Sequence, residues 1–336
     1  MPSTRIRSAD VCLDMRLGLL GVAAALSLCS SLDLLAQGRT VAITVDDLPY
    51  ADGTNAELNI ADVSAAEMIN RELLAAFQKR HVPVTGFVIQ KRVESLGSTS
   101  GVRILKHWID GGFDLGNHTY SHADINNLSP EEIEREIVQG ETAVAPLMKE
   151  VGKKIVFFRF PMNHTGDTKL KHDNVATYLA QRGYRLATCT IDTSDFLFNN
   201  AYIRMLAIHD DAAAQKLRLE YLAYTKAEVD YYAALNRQVL GYEPPQVMML
   251  HDNRLNGAVI DKILRLFEEK HYRFVPLGVA QSDPAYRLPD GYITKFGPMW
   301  GYRWAKELSV KVNGNLEPDP PKWILDYGKP STTVAH

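Results

Sequence analysis

The sequence predicts an α/β protein folded as one barrel of parallel strands with additions. Short β-rich runs alternate with helical patterns, which argues for βαβ units around a parallel sheet. Several of those runs are nearly continuous apolar, as strands covered on both faces are. The length of 336 residues accommodates one closed α/β core, which commonly uses about 200–250 residues, together with extra segments.

The chain begins with an address rather than a structural element. Arg16 precedes the uncharged stretch Leu17–Leu32, followed by LLAQG with small Ala36 at a cleavage point. Residues 1–36 read as a signal peptide, with translation starting at Met1 or Met15, and the protein is expected to be exported to the periplasm, cell envelope or exterior. An uncleaved membrane anchor through 17–32 is the alternative, but this run is short of the roughly 20 apolar residues a span needs. Cys29 follows Leu28 rather than a small residue, which disfavours a lipoprotein signal. Losing 1–36 removes Cys12 and Cys29, so Cys189 remains alone within an apolar run and reads as a buried inert thiol.

Seven runs read as strands: 40–46, 82–89, 113–118, 155–161, 184–192, 245–251 and 272–277. Between the first two, Met68, Ile69, Leu73, Ala76 and Phe77 fall on one face of a helix over 61–80. Ser129-Pro130-Glu131-Glu132 supplies an N-cap, a proline at the first helical position and a capping-box glutamate. Residues 196–244 read as one long helix or a helical hairpin inserted into the barrel, with His209-Asp210-Asp211 on its surface. The domain expected over 37–280 is followed by an aromatic-rich extension, 281–336, whose Tyr292, Phe296, Trp300, Tyr302, Trp304, Trp323 and Tyr327 are expected to pack against the core rather than stack on sugars.

Composition narrows the function. With 46% hydrophobic and 23% charged residues and a net charge of -3, the chain has a sizeable core and no basic footprint for nucleic acid. Oligomeric state is left open.

The polar residues at strand ends carry the chemistry. Asp46-Asp47, His118, Arg159, Asp192 and His251 each end a predicted strand, and in a parallel barrel those ends form the active face. Two adjacent carboxylates repel unless something positive separates them, and a metal ion is the economical explanation. His118 and His122, four apart, converge on one ion if the segment turns after the strand, leaving an open position as catalytic zinc sites do.

These residues resemble the polysaccharide deacetylase family, carbohydrate esterase family 4 with its NodB homology domain. TVDDLP stands where that family has TFDDGP, NHTYSH matches H-S/T-x-x-H, RFPM matches R-x-P-x, DTSDF matches D-x-x-D-W, and MMLHD matches L-x-L-H-D. The resemblance covers roughly 40–280 and implies a distorted (β/α)7 barrel. It implies that Asp47, His118 and His122 hold a divalent metal, zinc first and cobalt, nickel or manganese as alternatives. Asp46 becomes the general base and His251 the general acid, with Arg159 orienting Asp46 and Asp195 tuning His251. The backbone N–H of Met162 would hold the oxyanion, Phe196 would wall the leaving-group site, and His164 would contact substrate.

Departures from the pattern bear on substrate. Leu48 replaces a glycine, Met162-Asn163 replaces Tyr-Gly, and Phe196 replaces tryptophan. The expected activity is hydrolysis of N-acetyl groups on amino sugars of a chitin-like or peptidoglycan-like glycan, to acetate and free amine. The rivals are an O-acetyl esterase of the acetylxylan type and a catalytically silent glycan-binding module.

Overall fold

A computed structural model describes residues 38–51 and 62–329, so the expected signal segment lies outside the described residues. The chain divides into two units, Met1–Arg39 and Thr40–His336, and the fold is that of the second. Among the described residues seven strands follow one another as β1 (Thr40–Leu48), β2 (Val84–Val88), β3 (Asp114–Asn117), β4 (Phe157–Phe158), β5 (Arg185–Leu186), β6 (Gln246–His251) and β7 (Arg273–Phe274). All pairings are parallel, in the order β5-β4-β3-β2-β1-β6, with β7 against the start of β1. Past β5 the chain crosses to β6, where Ile191 bridges Met248 and closes the sheet into a distorted barrel. Seven parallel strands interleaved with helices bear out the expected (β/α)7 architecture.

Each element follows from its residues. In the helix Val63–Lys79, Ile69, Leu73, Ala76 and Phe77 are buried, while Met68 is half-buried against the core. Ser129 caps the helix Pro130–Gln139 by accepting from the N–H of Glu132, whose carboxylate accepts from the N–H of Ser129, the reciprocal pairing its sequence predicts. β1 is buried along nearly its whole length because strands pair with it on both sides and helices cover the sheet.

The segment after β5 is a pair of helices, Asp195–Ala207 and Asp211–Leu240, joined where Asp210 caps the longer one by accepting from the N–H of Ala213. His209 and Asp211 at this junction are exposed. The aromatic tail packs inward in part, since Trp300 and Trp304 join the core whereas Phe296 is exposed. Among the described residues, no helix is long and apolar enough to cross a membrane.

Leu48, which stands where the resemblance expects glycine, is fully buried. Its Cδ1 occupies the space a Cβ on Gly86 of β2 would take, only 2.1 Å away, so the missing side chain at Gly86 admits the extra one at Leu48.

Candidate active site

The loop after β1 starts inside the strand. Asp46 sits opposite His251 in the β1–β6 register, and Asp47 turns into a left-handed conformation, φ 71°, that aspartate tolerates better than most residues. The turn is tied by Tyr50 N–H donating to the carbonyl of Asp47 at 3.2 Å, so the two neighbouring carboxylates diverge.

Asp46 is buried and accepts from Nη1 of Arg159 at 2.6 Å. Arg159, wholly buried, also donates to Thr44 Oγ1 at 2.8 Å and the Ala187 carbonyl at 3.2 Å, and stacks over Phe87 at 4.3 Å. Burial pushes the Asp46 carboxyl above the ordinary carboxylate range, against the opposing charges of Arg159 and His251.

Asp47 behaves oppositely. Burial would raise it, but the charges of Arg92, His122, His251 and His118 outweigh that and hold it well below the ordinary range. Its Oδ2 lies 3.2 Å from Arg92, whereas Oδ1 is buried with no hydrogen-bond partner. That orphaned oxygen stands 3.6 Å from Nε2 of His118 and 3.5 Å from Nε2 of His122.

The turn after β3 brings the two histidines together. Thr119 N–H donates to Asn117 Oδ1 at 2.8 Å, His122 N–H donates to Thr119 Oγ1 at 3.1 Å, and Thr119 and His122 are both left-handed. The imidazole centroids end 5.0 Å apart. Nδ1 of His118 pairs with the Arg159 carbonyl at 2.9 Å, which assigns its proton to Nδ1 and leaves the Nε2 lone pair facing Asp47. Burial lowers both imidazoles to about 4, so they are neutral at pH 7. Asp47, His118 and His122 present ligand atoms within 4.8 Å of one another. An unpartnered buried carboxylate oxygen facing two neutral imidazoles is the donor set a divalent cation such as zinc fits.

On the opposite wall, Nδ1 of His251 meets Oδ1 of Asp195 at 2.5 Å, and the His251 N–H donates to Oδ2 at 2.7 Å. Burial would depress this imidazole, but Asp195 outweighs it and raises it to about 10. Asn253 and Asn256 also donate to Asp195. The Phe196 ring stands edge-on to His251, with centroids 6.1 Å apart.

A cavity of about 330 Å³ joins these groups. Asp46, Asp47, His118, His122, Met162, Phe196 and His251 line it, while Arg159 and Asp195 stand behind it. His164 is a correction to the sequence reading. It does not line the cavity; its ring is drawn to Asp124, at 2.8 Å, and to Asn126, at 3.1 Å. Cys189 is fully buried and its thiol is pushed up to about 12, as an inert core residue.

Other contributors were not legible from local spacing. Gly297 and Met299 line the cavity from the far end of the chain, Asn199 and Asn253 line it beside Asp195 and His251, and Arg92 meets Asp47 from the helix after β2. Asp192, which ends a predicted strand, also lines it, and burial followed by the charge of Asp195 raises its carboxyl to about 6.

Residues 36–187 match the model of the polysaccharide deacetylase family. Its relatives include a chitin deacetylase of Arthroderma benhamiae (strain ATCC MYA-4681 / CBS 112371), 29% identical over 157 residues, which are 47% of this chain and 35% of that protein. The match thus spans about a third of that relative's length. Among solved structures, the peptidoglycan deacetylase PdaC from Bacillus subtilis is 17% identical with a TM-score of 0.45, covering 75% of this chain and 94% of that one. BA3943 from Bacillus anthracis, a pseudoenzyme of carbohydrate esterase family 4, is 15% identical with a TM-score of 0.46, covering 70% and 63%.

Proposed function

We propose that the protein is an exported, metal-dependent deacetylase that hydrolyses the N-acetyl groups of amino sugars in a glycan. One observation carries the reading: adjacent Asp46 and Asp47 are split between a buried arginine and an imidazole pair, so one carboxylate is left for proton transfer and the other for a cation. The family match over 36–187 supports the reaction class. Export rests on residues 1–36. The deacetylase domain is taken as 37–280, with 281–336 an extension.

Asp47, His118 and His122 would hold the metal, which supplies Lewis acidity toward water and an acyl carbonyl. Asp46 accepts the proton of the attacking water, and Arg159 fixes which of its oxygens faces the cavity. The N–H of Met162, carried on a loop lining the cavity, donates to the developing oxyanion. His251, held protonated by Asp195, gives its proton to the leaving nitrogen. A protonated imidazolium supplies what amide cleavage needs, because an amine leaves poorly without a proton.

The test is acetate release by the purified protein, stripped of metal and then given zinc, on matched N-acetylated and O-acetylated glycans. Zinc-dependent release from the N-acetylated set supports the reading. Release from the O-acetylated set alone makes the protein an esterase, and no release from either favours a silent binding module.

A further inference from the structure

The loop that carries Met162 is unusual in its backbone. Met162 and Asn163 are both left-handed, φ 55° and 54°, a conformation that crowds the Cβ of any L-residue. Two such residues in succession persist only where their surroundings over-determine them. The N–H groups of Asn163 and His164 bond back to the carbonyls of Phe160 and Pro161, but these bonds stay within the turn. The Asn163 side chain meets two barrel sulfurs, Met249 Sδ and Cys189 Sγ, each at 3.7 Å, and the bonds to the turn's backbone carbonyl and to Thr165 come from the far end of the chain.

Arg303, on the helix Trp300–Glu307, is 2% exposed. Its Nη2 donates to the carbonyl of Asn163 at 3.2 Å, and its Nη1 donates to Thr165 Oγ1 at 3.0 Å. The same guanidinium is anchored by Asp290 at 2.8 Å and by the Pro298 carbonyl at 3.3 Å, and stacks over Trp300 at 4.7 Å. Gly297 lies directly against the turn: a Cβ there would fall 1.9 Å from the Met162 carbonyl oxygen and 2.9 Å from Asn163 Cβ. Two hydrogen bonds seat this segment, the Trp300 N–H donating to the Cys189 carbonyl at 2.9 Å and the Asn126 side-chain Nδ2 donating to the Lys295 carbonyl at 3.0 Å. Gly297 and Met299 reach the cavity itself.

We propose that residues 290–303, which lie outside the family match over 36–187, form a clamp that holds the Met162–Asn163 turn, with Arg303 the positioning residue for the Met162 N–H. This rests on the deacetylase reading above. A charged guanidinium is suited to the task because one rigid fork satisfies a carbonyl, a hydroxyl and a carboxylate at once. Glycine is required at 297 because the clamp passes closer to the turn than any side chain permits.

The experiment compares wild type, Arg303→Met, Arg303→Lys and Gly297→Ala, each with zinc, by steady-state acetate release, zinc affinity and hydrogen exchange of the peptide covering 160–166. A mutation far from the bond-breaking atoms that misplaces a donor by about 1 Å can lower the rate on the order of 10²-fold. Arg303→Met and Gly297→Ala are expected to lower kcat by at least about tenfold, with KM within about threefold and zinc affinity unchanged. Exchange in 160–166 accelerates, and Arg303→Lys recovers part of kcat. An unchanged kcat in Arg303→Met, or unchanged exchange in 160–166, overturns the clamp while leaving the deacetylase reading in place. So does a parallel loss of zinc affinity, which marks a general structural role. A wild type that releases no acetate overturns the deacetylase reading, and the catalytic purpose of the clamp falls with it.

Discussion

Asp46 and Asp47 are neighbours in sequence and lie in opposite electrostatic settings. Arg159 bonds Asp46 at 2.6 Å, yet burial still pushes its carboxyl up, whereas Arg92 and three histidines hold Asp47 down and leave its Oδ1 unpartnered. The proposed division of labour rests on that contrast, and it separates two variants. Asp46→Asn keeps the cation donors and is expected to retain zinc while losing about 10²–10⁴ in rate, the usual worth of a general base. His118→Ala is expected to lose both zinc and activity. Metal analysis of the two purified variants beside their acetate release decides it, and zinc retained by His118→Ala contradicts the ligand assignment.

Asp195 is the group that holds the His251 imidazole well above its ordinary range. Its carboxylate takes both the ring Nδ1 and the backbone N–H of His251 and raises the imidazole to about 10. Asp195→Asn removes that charge, so the His251 midpoint, followed by NMR in the metal-free protein, is expected to fall by several units. The linkage has a definite sign: a raised histidine stabilises the fold fully below its unfolded pKa of about 6.5 and loses that contribution as pH rises through about 10. Asp195→Asn should therefore cost most stability below pH 6.5 and little above pH 10. An unmoved midpoint excludes Asp195 as the cause.

How much of this was legible depends on how regular the backbone is at each residue. Asp46 lies two residues before the end of β1, His118 directly follows β3 and His251 ends β6, so their motifs fall near strand ends that hydrophobic runs reveal. β4 and β5 are far shorter than their apolar runs suggest, two residues each against 155–161 and 184–192, because the chain leaves the ladder for the left-handed turn at Met162 and for the bridge at Ile191. Apolar character reports burial, and these segments are buried without remaining paired. Arg92 and Arg303 were not legible, since each meets its partner across 45 residues or more and no spacing rule links them. His164 drew attention by standing next to Met162, but in a turn a neighbour points elsewhere, here to Asp124.

Glu228 is a second test of linkage, away from the site. It is 1% exposed on the helix Asp211–Leu240, and burial, joined by the charges of Glu317, Asp192 and Asp319, raises its carboxyl to about 8. A carboxyl raised on folding favours the folded state at low pH, and that advantage declines as pH climbs from about 4.5 to about 8. Glu228→Gln has no proton to lose. Its unfolding midpoint is expected to exceed that of wild type above pH 8 and to converge with it below pH 5. A midpoint lower than wild type at pH 9 would show that the charged form is compensated.

Leu48 and Gly86 form a complementary pair whose energetics are open to a double-mutant cycle. A Cβ at Gly86 would stand 2.1 Å from Leu48 Cδ1 and 3.3 Å from two ring atoms of Trp108, in a fully buried part of the sheet. Gly86→Ala alone therefore overpacks the core and is expected to destabilise by about 1–3 kcal/mol. Leu48→Ala alone opens a cavity beneath the loop that carries Asp46 and Asp47, for about 2–5 kcal/mol. Together the new methyl enters the space the leucine vacates, so the double variant should be more stable than the sum of the two losses allows, with a coupling of about 0.5–3 kcal/mol. Denaturant unfolding of the four proteins measures it, and strict additivity would mean that Leu48 does not fill the Gly86 space. The size of the coupling also indicates how firmly the leucine that replaces the expected glycine is built into the wall of the site.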